Sequence, residues 1–160
     1  MVAPSEDIPV VCFDLAGEMY AADVDHVREI IRLPDISPVP KAPAFIRGMI
    51  NLRGKVVPVV DFRRLLGFKP EQPTKRSRIL IMDFNHQLVG AIVDGVSQVT
   101  RIMTDAIEPP SNIVSRVDTA YLRGVATLGD QLAIFLDIDR VLDAAQEKAI
   151  AVLNARQERA

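Results

Sequence analysis

Residues 44–67, AFIRGMINLRGKVVPVVDFRRLLG, and residues 120–143, AYLRGVATLGDQLAIFLDIDRVLD, align without a gap at an offset of 76. Seven positions are identical: Ala44/Ala120, Arg47/Arg123, Gly48/Gly124, Leu52/Leu128, Asp61/Asp137, Arg64/Arg140 and Leu66/Leu142. Each copy reads as two apolar strands around a turn, Arg53-Gly54 or Gly129-Asp130, with Gly54 and Gly129 expected to supply positive φ. In the first copy Asp61 caps a short helical piece that Gly67 ends. In the second, Asp139 is read as the cap of a longer helix with Leu142, Ala145, Ala149 and Val152 on one face. Gly48 and Gly124 share a repeat position among bulky neighbours, which suggests close backbone approach or unusual dihedrals.

The repetition extends outward from this pair. Residues 10–15 and 18–22 form a hairpin about Ala16-Gly17, and residues 10–30 match residues 79–99 at an offset of 69, aligning Asp14/Asp83, Asp25/Asp94 and Val27/Val96. Val24, Val27 and Ile31 are compatible with either a helical turn or a strand. Pro34, Pro38, Pro40 and Pro43 mark an extended connector. Arg63, Arg64, Lys69, Lys75, Arg76 and Arg78 gather around residues 68–76, which read as a solvated linker in preference to a surface for an anionic membrane or partner. Residues 78–84, 88–94 and 96–103 are strand-like, and Pro109-Pro110 breaks the run. Two copies of a hairpin-rich unit, about 10–67 and 78–143, with about five short strands each, suit small closed barrels, which hide their strand edges. Residues 1–8 are expected to be a flexible N-terminus and 144–160 a C-terminal helix or tail.

Composition narrows the function. The 160 residues include 19 Lys and Arg against 21 Asp and Glu, with 49% hydrophobic and 5% aromatic content. A pI near 5.7 and scarce aromatics weigh against a small-barrel nucleic-acid binder, the rival from another class. Cys12 is the sole cysteine, which excludes an internal disulfide and fits a reducing, cytoplasmic setting. It alternates with apolar neighbours as a buried inert thiol does. Apolar runs reach only about five residues, far below the ~20 of a membrane helix, and residues 1–8 carry no signal peptide.

Catalytic motifs are missing. There is no phosphate loop or nucleophile elbow, and His26 and His86 stand outside any metal-ligand spacing. Asp137-Ile138-Asp139 aligns with Asp61-Phe62-Arg63, so a helix cap explains it better than a metal. No catalytic residue, metal or cofactor is expected. Glu29 and Arg53 stand out instead: their repeat partners are Gln98 and Gly129, so the repeated fold does not itself require these charges.

The stretch 45–61 follows the pattern F-I-x-G-x-x-N-L-R-G-x-x-x-P-[VI]-[VI]-D and resembles the CheW family of bacterial chemotaxis coupling proteins. V-R-E-I at 27–30, V-G-x-x-V-D-x-V at 89–96, I-x-P-P at 107–110 and the hairpin from Tyr121-Leu122-Arg123-Gly124 extend the resemblance over about residues 9–143. It implies a single mainly β domain of two intertwined five-stranded barrels with short helices and a C-terminal helix. It further implies a non-enzymatic adaptor between methyl-accepting chemoreceptors and the histidine kinase CheA, recruited from the cytoplasm to receptor arrays without inserting in the membrane. A receptor's hairpin tip would meet a groove between the barrels at Val27, Glu29 and Arg53, and the two charges are expected to pair. The kinase's regulatory domain would dock near Gly48, Val57, Pro58, Val60 and Asp61. A stand-alone coupling protein is expected rather than part of a kinase or a receiver-linked relative. An adaptor for gliding, twitching or another output stays open.

Overall fold

The computed structural model describes residues 6–110 and 117–158, with side chains of the final helix described as far as Lys148. Ala149 and Val152 of the expected helical face therefore lie outside the described side chains. Eleven strands are found among the described residues: β1 (Asp7–Leu15), β2 (Glu18–Asp23), β3 (Val27–Arg32), β4 (Ile46–Leu52), β5 (Lys55–Asp61), β6 (Arg78–Phe84), β7 (Gln87–Val93), β8 (Gly95–Met103), β9 (Ile107–Glu108), β10 (Leu122–Leu128) and β11 (Gln131–Leu136). Helix α1 (Phe62–Leu65) follows β5, and α2 (Ile138–Glu158) follows β11. The ambiguous segment resolves into a single 3-10 turn, Val24–His26, running into β3.

The strands form two sheets, ordered β8-β1-β2-β11-β10-β9 and β3-β6-β7-β5-β4. Each takes its strands from both repeats: the first hairpin, β1–β2, sits among strands of the second repeat, and β6–β7 sits among strands of the first. β8 and β9 are one stretch of chain bent at Thr104–Ala106, so the same strand pairs β1 at one edge and β10 at the other, closing a five-stranded barrel. In the other sheet Ser37, just beyond β3, bridges Met49 of β4 through two backbone hydrogen bonds of 2.9 and 2.8 Å. Both barrels thereby cover strand edges that would otherwise stay open.

The repeat seen in the sequence is kept down to single irregularities. β3 bulges between Val27 and Glu29, and β8 between Val96 and Gln98. β4 bulges between Ile46 and Gly48, and β10 between Leu122 and Gly124. The parallel contacts correspond too, Val59 against Gly90 and Phe135 against Ala21. Cα partners therefore follow the offsets of 69 and 76 derived from the sequence.

The apolar side chains divide into three cores, and strand alternation does the sorting. In β1, Val10 and Cys12 enter the first barrel's interior with Phe135, while Val11, Phe13 and Leu15 enter a core shared between the barrels. In β6, Ile79 and Ile81 fill the second barrel, while Leu80 and Met82 join the shared core. These two strands are buried on both faces and so read as unbroken apolar runs. Phe13, Tyr20, Phe45, Phe62 and Phe68 also lie in the shared core, each adding ~1.5–3 kcal/mol of burial. Helix α2 seals this core with Ile138, Val141, Leu142 and Ala145, spaced for one helical face. Its cap corrects one expectation: Asp137, not Asp139, accepts the Arg140 N–H at 3.3 Å. Asp139 lies within the first turn, 3.8 Å from the His26 ring.

Candidate functional site

The two charges singled out by the repeat comparison meet. Arg53 opens the β4–β5 turn at φ 49°, and Gly54 follows at φ 85°. Two successive positive φ values make a type I′ turn, whose twist suits a two-residue hairpin. The Asn51 side-chain oxygen accepts the Gly54 N–H at 2.8 Å and holds the turn. Glu29 lies on β3 opposite Ile81. Arg53 Nη1 and Nη2 donate to the two Glu29 carboxylate oxygens at 3.0 and 2.6 Å, a bidentate pairing that fixes orientation as well as distance.

This pair bridges β3 and the β4–β5 turn, which belong to opposite edges of the five-strand order. It spans the seam that the backbone closes at Ser37 and Met49. The Arg53 hydrogen bonds hold the Glu29 carboxyl below its ordinary pKa, opposed by partial desolvation and helped by the guanidinium charge. Arg53 is raised in turn by the same partner. The pair remains open to solvent, with the Arg53 side chain 71% exposed, so it adds little to the stability of the barrel. The other barrel has Gln98 and Gly129 at these positions and no such bridge.

Val27 takes another direction. Its cross-strand partner is Met82 of the shared core, whereas Glu29 opposes Ile81 of the barrel interior. The intervening bulge residue, Arg28, pairs with Asp83. The bulge thus turns Val27 and Glu29 to opposite faces of one strand, with Val27 half-buried against the shared core.

The candidate kinase-facing residues are mostly enclosed. Val57 and Val60 are buried in two different cores, and Gly48 lies under Ser37, whose carbonyl oxygen is 2.2 Å from where a Cβ would stand. Asp61 is buried; it caps α1 by accepting the Arg63 N–H at 3.0 Å and faces Arg47 and Arg64 at 3.9 and 3.6 Å. Pro58 is half-exposed and borders a surface groove with Met49 and Val56, the latter 68% exposed.

One member of the basic group departs from the expected solvated linker. The Arg63 side chain is only 12% exposed. Its Nε and Nη2 donate to Asp94 at 2.8 and 2.6 Å, and Nη1 donates to the Lys69 carbonyl. Asp94 also accepts the Ala16 N–H at 2.9 Å. Asp94, at the β7–β8 crossover, therefore ties the second barrel's helix to the first hairpin. The sequence aligned Asp94 with Asp25 but held no signal for its partner, because Arg63 aligns with Asp139.

Comparison with known proteins agrees with this architecture. The family model described as CheW-like domain matches residues 9–146. Chemotaxis protein CheW of Rhizobium meliloti is 31% identical over 140 residues, covering 88% of this chain and 90% of that protein. Chemotaxis protein CheW of Thermotoga maritima is 32% identical over 138 residues, covering 86% and 89%. The crystal structure of scaffolding protein TtCheW from Thermoanaerobacter tengcongensis superposes with a TM-score of 0.77 at 37% identity, covering 87% of this chain and 89% of that one.

Proposed function

The chain belongs to the CheW-like domain family, and from that premise we propose that it is a non-catalytic scaffold coupling chemoreceptors to the histidine kinase CheA. Residues 9–143 act as one unit in this reading. The observation that carries the receptor site is the Glu29–Arg53 pair: a bidentate ion pair at a barrel seam, absent from the equivalent seam of the sister barrel. A helical receptor tip lying beside it gains apolar contact from the partly exposed side chains of β3, and the paired charges fix its direction. Val27, on the opposite face of β3, contributes by anchoring that strand to the shared core.

For the kinase, the reading assigns a supporting role to Gly48, Val57, Val60 and Asp61, which shape β4 and β5 from within. Contact falls to half-exposed Pro58 and Met49 and to exposed Val56, against the kinase's regulatory domain. Among the described residues no helix is long and apolar enough to cross a membrane; in this reading the receptor brings the chain to membrane arrays. The test is reconstitution of receptor fragments, kinase and this chain. Kinase activity under receptor control should appear only when all three are present; equal activity without this chain would refute the adaptor role.

A further inference from the structure

Arg32 and Arg78 face each other directly as the last residue of β3 and the first of β6 in an antiparallel ladder. Like charges placed opposite one another weaken a sheet rather than hold it. Close by, the exposed Lys75 adds a third cation, and these three line a groove of about 420 Å³ with Leu33, Thr74 and Ser77. The nearby arginines Arg28, Arg53, Arg63 and Arg76 each meet a carboxylate. Among the described residues no ion pair reaches Arg32, Lys75 or Arg78. Arg78 is nonetheless held in place, because its Nη1 donates to the Lys75 and Ser77 carbonyls at 2.8 Å each. Ile30 shares the Arg32 face of β3 by alternation and is 36% exposed.

We propose that this end of the β3–β6 ladder binds an acidic peptide segment of a protein partner. Carboxylates take the places that would neutralise Arg32, Lys75 and Arg78, and an apolar side chain rests on Ile30. The mixture of an exposed apolar residue with open cationic donors favours a peptide over a free anion, which would use the donors alone. The repulsion that burdens the free ladder is offset by attraction to the segment's carboxylates once it is bound.

The test is an NMR titration of the full chain with a blocked pentapeptide of glutamates around one leucine. A glutamine version of the peptide and inorganic phosphate serve as separate arms. Saturable shifts at residues 30–33 and 74–78 are expected with the acidic peptide alone. In the double variant Arg32→Gln with Arg78→Gln, affinity should fall about tenfold or more, as loss of charge-assisted contacts implies. The thermal midpoint of Arg32→Gln alone should equal or exceed that of wild type, because the opposed charges are gone while the Arg78 bonds to the Lys75 and Ser77 carbonyls remain. Lys75→Gln, remote from the strand pairing, should also weaken binding. The proposal is overturned by no saturable shift, by equal affinity for the glutamine peptide, by equally tight phosphate binding, or by undiminished binding in both variants. Destabilisation by Arg32→Gln alone would overturn it as well, since that arginine would then be structural.

Discussion

Gly48 and Gly124 show how single atoms shape this fold. A Cβ on Gly48 would stand 2.2 Å from the Ser37 carbonyl oxygen, and one on Gly124 would stand 2.4 Å from Ile107 and 2.5 Å from the Glu108 carbonyl oxygen. In both barrels the closing strand passes over a glycine, so the close approach expected from their shared repeat position is also what lets each sheet seal. Backbone cannot retreat as a flexible side chain does. Gly48→Val and Gly124→Val should each cost at least ~2 kcal/mol, read from urea midpoints. Cys12 supplies a second residue-scale expectation. Burial first, and then the Asp14 charge, push its thiol up to about 11 from 9.0. The folded state therefore keeps a proton that the unfolded state loses above pH 9, so this contribution to stability is intact below that pH and fades as pH rises toward 11. Native protein at pH 8 should resist iodoacetamide, and the reaction should proceed only after denaturant is added; rapid alkylation of folded protein would contradict the buried thiol.

Hairpins, helices and crossovers were legible to different degrees. The paired turns and the two offsets stand in the sequence because turn chemistry and alternation are local. Exchange of the first hairpins between barrels does not, since it depends on parallel contacts such as Val59 with Gly90, far apart in the chain. The kinase-facing candidates show a related limit: a strand motif serves a core as readily as a surface, and Val57, Val60 and Asp61 turned inward. Glu29 and Arg53 were found because the comparison between repeats separates charges the fold needs from charges it does not. Arg63 escaped that comparison, its role arising from the crossover it touches. Its bidentate bond to Asp94 fastens the β7–β8 crossover, so Asp94→Ala should destabilise by about 1–3 kcal/mol, with partial solvent access moderating the loss. Arg63→Met combined with Asp94→Ala should recover part of that cost, because the lone guanidinium is no longer left without its partner. Identical midpoints for wild type and Asp94→Ala would remove the crossover from the account.

At the scale of the whole molecule, two barrels of one design differ where one seam carries an ion pair and the other does not. The paired seam is the feature assigned to the receptor, and the shared core holds it in a fixed relation to the β5 surface assigned to the kinase. Because the Glu29 carboxyl is held below its ordinary pKa, the pair persists at neutral pH and is lost as the carboxylate protonates in acid. Receptor binding should therefore weaken with falling pH and with added salt, which screens exposed charges. The most direct measurement is co-sedimentation with receptor and kinase for wild type, Glu29→Arg, Arg53→Glu and the double swap. The account predicts that both single variants stay folded and keep kinase binding but lose receptor binding, and that the swap regains part of it by restoring the pair in reverse. Receptor binding at wild-type strength by both single variants would contradict it.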